Sequence, residues 1–190
     1  MLLLVGLGNP GSSYTNTRHN IGFKIIDAIN AHFKLSKQKP KFKGLLTTGS
    51  IDEKKIYAIK PLTFMNNSGT AIKELIDYFK IEAKDVFVFH DDMDIDFGKI
   101  KAKFGGSSAG HNGIDSIDKF IGKEYSRVRI GIGHPKQKKR VNNHVLEDFK
   151  DDEEDKINEI TENIVKQLPT LIEKKIDLFS SKVNQDLNGI

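Results

Sequence analysis

The stretch LLLVGLGNPG, residues 2 to 11, decides the fold. Residues 2–6 read as a short buried strand. Gly6, Gly8 and Gly11 follow at the spacing G-x-G-x-x-G, the outline of a dinucleotide-binding turn. That turn needs a helix opening at the third glycine, so that its N-terminal dipole meets a pyrophosphate, and an acid at the end of the next strand for the ribose. Here Pro10 lies inside the pattern and the polar stretch SSYTNTRHN follows it. The first helical spacing begins only near residue 20, and Asp27 falls inside that helix rather than at a strand end. The glycines therefore read as a tight structural turn. It presents the Asn9 amide at the carboxyl end of a sheet strand, where α/β proteins put their sites.

Working outward, Ile21, Ile25, Ile26, Ile29 and Phe33 recur at helical spacing over about 20–33. Residues 43–51 and 54–60 read as strands joined by a turn at Asp52-Glu53. Asn66 to Phe79 reads as a helix, VFVFH (86–90) as a buried strand, and KIKAKF (99–104) as a more exposed one. His111 to Phe120 is a short helix and VRIGIG (128–133) a strand. From about 152 one long helix carries Ile157, Ile160, Ile164, Leu168, Leu171 and Ile176 in register, with Pro169 as the place to kink or split it. Interleaved strands and helices without repeats or linkers predict an α/β fold, a single domain over 1–190 with a twisted mixed sheet flanked by helices.

The chain has 190 residues, enough for a substantial core, and no cysteine, which removes disulfides and thiolate chemistry. No apolar run approaches a membrane span and the N-terminus lacks a leader pattern, which points to the cytosol. The net charge is +4 and the pI about 9.0. Cations gather in KQKPKFK (37–43), KIKAK (99–103) and HPKQKKR (134–140). A polyanion fits these clusters, and two of them flank a glycine-rich stretch. The acidic run DDEEDK (151–156) reads as a helix N-terminus favoured by the macrodipole.

Two further patterns invite chemistry they do not support. GSSAG (106–110) matches the G-x-S-x-G nucleophile elbow with Ser108 as nucleophile, but a lysine-rich strand and two glycines precede it, where the elbow needs a buried strand. His90 with Asp91, Asp92 and Asp94 matches no defined metal-ligand spacing.

What remains is a set of polar groups at strand ends and loops: Asn9, His19-Asn20, Met65-Asn66-Asn67, His90-Asp91-Asp92 and Gly110-His111-Asn112-Gly113. Singly, each has a structural explanation, such as Asn66 capping its helix. Together they suit hydrolysis. A neutral imidazole takes a proton from water, and a carboxylate on its other nitrogen fixes the tautomer. Carboxamides hold a carbonyl or a developing oxyanion without titrating.

The stretches VGLGNPGSSYTNTRHNIG, KPLTFMNNSG, VFHDDMD, GGSSAGHNG and RVRIGIGHP, in this order, resemble bacterial-type peptidyl-tRNA hydrolases over nearly the whole chain. The resemblance implies cleavage of the ester between a peptide and the ribose of tRNA. It implies His19 as catalytic base, Asp91 as the carboxylate that orients it, and Asn9 as the residue that helps tell blocked from unblocked aminoacyl-tRNA. Tyr14, Phe64, Asn66 and Asn112 match substrate or tRNA contacts, with Met65 beside them. Lys101, Lys103 and Arg129 match positions that hold tRNA phosphates. No metal or cofactor is implied, and a monomer is. Phosphate contacts suit an enzyme that acts on many tRNAs, because they carry affinity without reading sequence.

The chain departs from the family pattern in two places. Ser108-Ala109 stands where relatives often carry His-Gly before GHNG, and Asp96-Phe97 where a proline pair is common. Both predict altered loop rigidity or tRNA fit with the chemistry retained. The segment 134–146 matches a mobile family segment whose lysines could add phosphate contacts. A non-catalytic RNA-binding protein on the same scaffold is the alternative, and the retained His19 and Asp91 count against it.

Overall fold

The computed structural model describes residues 1–135 and 141–187. Seven strands form one mixed sheet in the order β2-β3-β4-β1-β5-β7-β6. They are β1 (Leu2–Gly6), β2 (Lys39–Lys41), β3 (Gly44–Ile51), β4 (Lys54–Pro61), β5 (Val86–Asp92), β6 (Ile100–Phe104) and β7 (Ser126–Gly131). The helices are α1 (Ile21–His32), α2 (Ser68–Phe79), α3 (Asn112–Ile121), α4 (Val141–His144), α5 (Asp151–Ile172) and α6 (Ile176–Leu187). The four central strands β4, β1, β5 and β7 run parallel. Strands β2 and β3 extend one edge and β6 the other, all antiparallel.

The opening run is central because both its faces are covered. Leu2 and Leu4 pack with the α1, α5 and α6 residues Ile25, Ile160 and Phe179. Leu3, Val5 and Leu7 pack with Ile72, Leu75, Ile114 and Ile117 of α2 and α3. Alternation along one strand thus feeds two cores. The chain leaves β1 for α1 on one face and leaves β4 for α2 on the other. This opens a crevice at the carboxyl ends of β1, β4 and β5, where such sheets bind ligands.

The glycine turn works by close approach. A Cβ on Gly22 would collide with the Leu7 nitrogen and the Phe89 oxygen, and one on Gly6 with the Gly22 oxygen. Helix α1 therefore rests directly on the ends of β1 and β5. We expect Gly22→Ala to destabilise the fold by about 3 kcal/mol or more, since backbone blocks the new methyl on every side. Urea denaturation would measure it, and a loss below about 1 kcal/mol would mean α1 can lift without cost.

Most elements fall where periodicity predicts them, including the Asp52-Glu53 turn, whose two residues both have positive φ (47° and 64°) as a type I′ hairpin requires. The long C-terminal helix needs correction. Pro169 lies within α5, which continues to Ile172. The helix stops just beyond it, where Lys174 takes φ 64°. There the Lys174 N–H donates to Leu171 O (2.8 Å) and the Lys175 N–H to Thr170 O (3.3 Å), a Schellman ending. Ile176 belongs to α6. That helix covers the exposed edge of β6: Asn184 Oδ1 accepts from Ile100 N (3.0 Å), its Nδ2 donates to Ile100 O (2.9 Å), and Ser180 Oγ accepts from Ala102 N (2.8 Å). Side chains here replace a missing neighbouring strand.

The acidic run does open α5, with the Lys150 N–H donating to Glu153 Oε2 (2.9 Å). It has a second use. Glu153 also pairs with the buried Arg18 (2.7 Å), and Glu154 pairs with Lys24 (2.6 Å).

Candidate active site

His19 lies on a 3-10 turn (Arg18–Asn20) that leads into α1. A strand-like segment fixes that turn from outside: Arg18 N donates to Glu147 O (3.1 Å), His19 N to Val145 O (2.8 Å), and Thr17 bridges Asp148. The Arg18 guanidinium donates to Glu147 O and Asp148 O and lies over the Phe149 ring. Asp91 comes from β5, one strand over. Sheet pairing and the 145–149 segment therefore aim the two side chains at each other.

They meet closely. His19 Nδ1 lies 2.8 and 2.9 Å from the two oxygens of Asp91. Both residues are buried. A carboxylate accepts, so Nδ1 carries the proton and Nε2 keeps a lone pair. Burial acts to lower the His19 pKa, but the charge and hydrogen bond of Asp91 outweigh it, and the net shift is upward from 6.5. Burial likewise acts to raise that of Asp91. His19 and His111 more than reverse this and hold the carboxyl far below its ordinary range.

A cavity of about 570 Å³ opens over the pair, lined among others by Asn9, Phe64, Met65, Asn66, Asn112 and the 108–111 loop. Asn9 is nearly buried and doubly anchored. Asn20 Oδ1 accepts from its main-chain N–H (2.8 Å), and Asn20 Nδ2 donates to its carbonyl (2.9 Å). Met65 N–H then donates to Asn9 Oδ1 (2.8 Å), which leaves Nδ2 as the group of that amide without a partner among the described residues. Asn66 is exposed on the cavity wall and does not cap α2, whose N-cap position is Asn67.

Among the residues picked from sequence, His19, Asp91, Asn9, Phe64, Met65, Asn66 and Asn112 converge on this cavity. Tyr14 does not line it; it lies half-buried on the 3-10 turn Ser12–Tyr14. Lys101 and Arg129 face each other across β6 and β7, as do Lys103 and Arg127. Lys101 is exposed, while the Lys103 ammonium lies over Gly106, where a Cβ would displace it. Arg129 is partly committed, its Nε donating to Asp92 Oδ2 (2.7 Å). Ser108 lines the cavity, and its Oγ accepts from Gly110 N (3.3 Å). The edge strand β6 ahead of it lacks the buried strand-turn-helix geometry of a nucleophile elbow. Residues 136–140, the lysine-rich part of 134–146, lie outside the described residues.

The sequence placed two further residues in the polar set without assigning them a role. Asn20 clamps the Asn9 main chain. His111 donates through Nε2 to Asp91 Oδ1 (3.0 Å) while its Nδ1 accepts from Gly113 N (3.1 Å) and Ile114 N (3.3 Å) as the N-cap of α3. The capping bonds fix its tautomer. His19, Asp91 and His111 bring three ligand-type atoms within 4.8 Å of one another. A metal on His111 Nε2 would have to expel the proton held there and cost the helix its cap. The set is built for hydrogen bonding. His90, fully buried beside His111, donates to its neighbour's carbonyl (Asp91 O, 2.8 Å). Burial lowers its pKa to about 3, with the His111 ring and Arg127 acting the same way, so it stays neutral.

A carboxylate-backed histidine with a lone pair on its outer nitrogen, set in a cleft walled by amides at the carboxyl end of a sheet, has the build of a general-base site on an α/β scaffold. The family model described as peptidyl-tRNA hydrolase matches residues 3–189, and the chain belongs to that family. A peptidyl-tRNA hydrolase of Pelagibacter ubique is 70% identical over 184 residues, covering 97% of this chain and 99% of that one. One from Ehrlichia ruminantium is 46% identical over 181 residues, covering 95% and 93%. The crystal structure of peptidyl-tRNA hydrolase from Acinetobacter baumannii superposes with a TM-score of 0.90 at 34% identity, covering 97% of this chain and 94% of that one.

Proposed function

We propose that this protein hydrolyses the ester that joins a peptide, or an N-blocked aminoacyl group, to tRNA, and so releases tRNA for reuse. The observation that carries the reading is the His19–Asp91 pair under the amide-walled cavity. Water at the cavity floor gives a proton to His19 Nε2 as its oxygen attacks the ester carbonyl carbon. Asp91 stabilises the imidazolium that forms. The tetrahedral intermediate collapses, the bond to the ribose oxygen breaks, and that oxygen takes the proton back from His19. Asn9 Nδ2, Asn66 and Asn112 supply neutral hydrogen-bonding groups for the acyl carbonyls and the developing oxyanion. Asn9 also supplies a basis for selectivity. With its oxygen taken by Met65 N–H, it offers a donor, which a peptide carbonyl accepts and a free α-ammonium cannot. Phe64, 60% exposed, offers a ring on which a terminal base can stack.

The test is hydrolysis of N-acetyl-aminoacyl-tRNA beside free aminoacyl-tRNA. Cleavage of the blocked substrate alone supports the reading. Tight tRNA binding without cleavage would move the protein to RNA binding.

Lys101, Lys103 and Arg129 form the phosphate-contact set in this proposal. Lys103→Ala is the cleaner probe, because Arg129→Ala would also strip Asp92 of its partner. We expect Lys103→Ala to raise KM for peptidyl-tRNA and to lower the slope of log affinity against log salt by about 1. A minimal peptidyl ester without the tRNA body should react as before. Equal damage on both substrates would contradict the assignment.

A further inference from the structure

Asp91 is shared. Its Oδ1 accepts from His19 Nδ1 at 2.8 Å and from His111 Nε2 at 3.0 Å, and the two rings lie 4.9 Å apart. The proposed mechanism uses only the first of these bonds. The second is a fixed donor, because the α3 cap occupies the other nitrogen of His111 and leaves the proton no alternative site.

We propose that His111 is a positioning residue: by donating to Asp91 while capping α3, it weakens the carboxylate's hold on the His19 proton and ties that hold to the end of α3 that carries Asn112.

A hydrogen bond to a carboxylate spreads its negative charge and makes it a poorer acceptor for a second donor. With His111 in place, Asp91 stabilises the His19 imidazolium less than a carboxylate with one partner would. This matters because a carboxylate with no rival donor would hold the His19 proton more tightly and leave less of the base form at neutral pH. Among the described residues few other charges face the pair. Against His19 lie Asp91 and the His111 ring; Arg18, its neighbour in sequence, is turned away to Glu153 and Glu147. Asp92 and Asp94 line the same cavity, but each has its own partner, Arg129 (2.7 Å) and His134 (2.9 Å). Against His111 lie Asp91 and the neutral His90, whose ring is 4.9 Å away. His111 is thus the one group besides His19 that bonds the Asp91 carboxylate among the described residues.

Two substitutions separate its two bonds. Asparagine matches histidine as far as Nδ1, so His111→Asn keeps the cap and loses the donor to Asp91. Glutamine reaches as far as Nε2, so His111→Gln can keep the donor and loses the cap. Titration of the His19 ring by NMR, assigned against His19→Ala, reads its proton affinity without reference to turnover. We expect His111→Asn to raise the His19 titration by about half a pH unit or more, and the acid limb of kcat/KM to move with it. His111→Gln should leave the titration in place and lower the Tm. A purely structural role would give two variants alike in titration and different only in Tm, and that result would overturn the proposal. The inference rests on His19 being the base, and the two readouts distinguish the failures. If the titration moves and the rate limb does not, the base assignment falls while the coupling stands. If the His19 titration in His111→Asn stays put, the coupling falls.

Discussion

A His19→Ala variant is expected to lose about 10²- to 10⁴-fold in kcat on N-acetyl-aminoacyl-tRNA while its tRNA affinity stays within a factor of about two. The reason is geometric. His19 is 7% exposed, and its main chain, which the variant keeps, makes the bond that holds the turn to Val145. Asp91 retains His111 as a donor, so the substitution does not strand a bare buried charge. The lysines proposed to meet phosphate lie on another strand, outside the cavity lining. Removing the imidazole therefore subtracts the proposed proton acceptor and little else. Single-turnover cleavage with a filter-binding measurement at the same salt would separate the two quantities. A parallel fall in binding and rate would make His19 a contact residue and revive the non-catalytic alternative.

The sequence made much of this site legible, for physical reasons that can be named. A fully buried central strand leaves an apolar run, and the turn beyond it must use glycines because α1 comes to rest on the backbone there. Those two constraints marked LLLVGLGNPG and placed Asn9 at a strand end. Helices with one buried face announced themselves by spacing. Side-chain roles that depend on an unusual partner stayed hidden. A cap made by an imidazole nitrogen has no composition signal, so His111 looked like a loop residue. The Schellman turn at Lys174 was invisible because glycine, its usual mark, is missing, while Pro169 suggested a break that the helix absorbs. Strand β2 is three residues of KPK, too short and too polar to read as a strand. Asn184 and Ser180 serve as a surrogate strand only because α6 folds back on β6, a tertiary fact. The convergence of His19 and Asp91, 72 residues apart, came from family resemblance and from no local pattern.

Asp91→Asn should lower the plateau of kcat/KM by about 10²-fold or more and move its acid limb downward. The sign follows from what holds His19. In the wild type the net shift is upward from 6.5, so the base form is lost as pH falls through a value above 6.5. Both upward causes, charge and hydrogen bond, belong to Asp91; burial alone remains in the variant and acts downward. The limb should then lie below 6.5. His111 also decides which way the new amide faces. Its Nε2–H is a fixed donor, so the substituted side chain turns its amide oxygen toward the position of Oδ1, where His19 Nδ1–H can still donate. The tautomer survives, Nε2 keeps its lone pair, and what is lost is stabilisation of the imidazolium in the transition state. A lower plateau with a downward limb is therefore the signature of charge stabilisation. A lower plateau with an unmoved limb would mean that Asp91 orients the ring without setting its proton affinity. In the double variant Asp91→Asn, His111→Asn the amide loses that guide and can present its nitrogen to His19 Nδ1, which forces the proton to Nε2. The pair should cost more together than the two changes summed, and a purely additive loss would show that His111 does not govern the tautomer through the side chain at position 91.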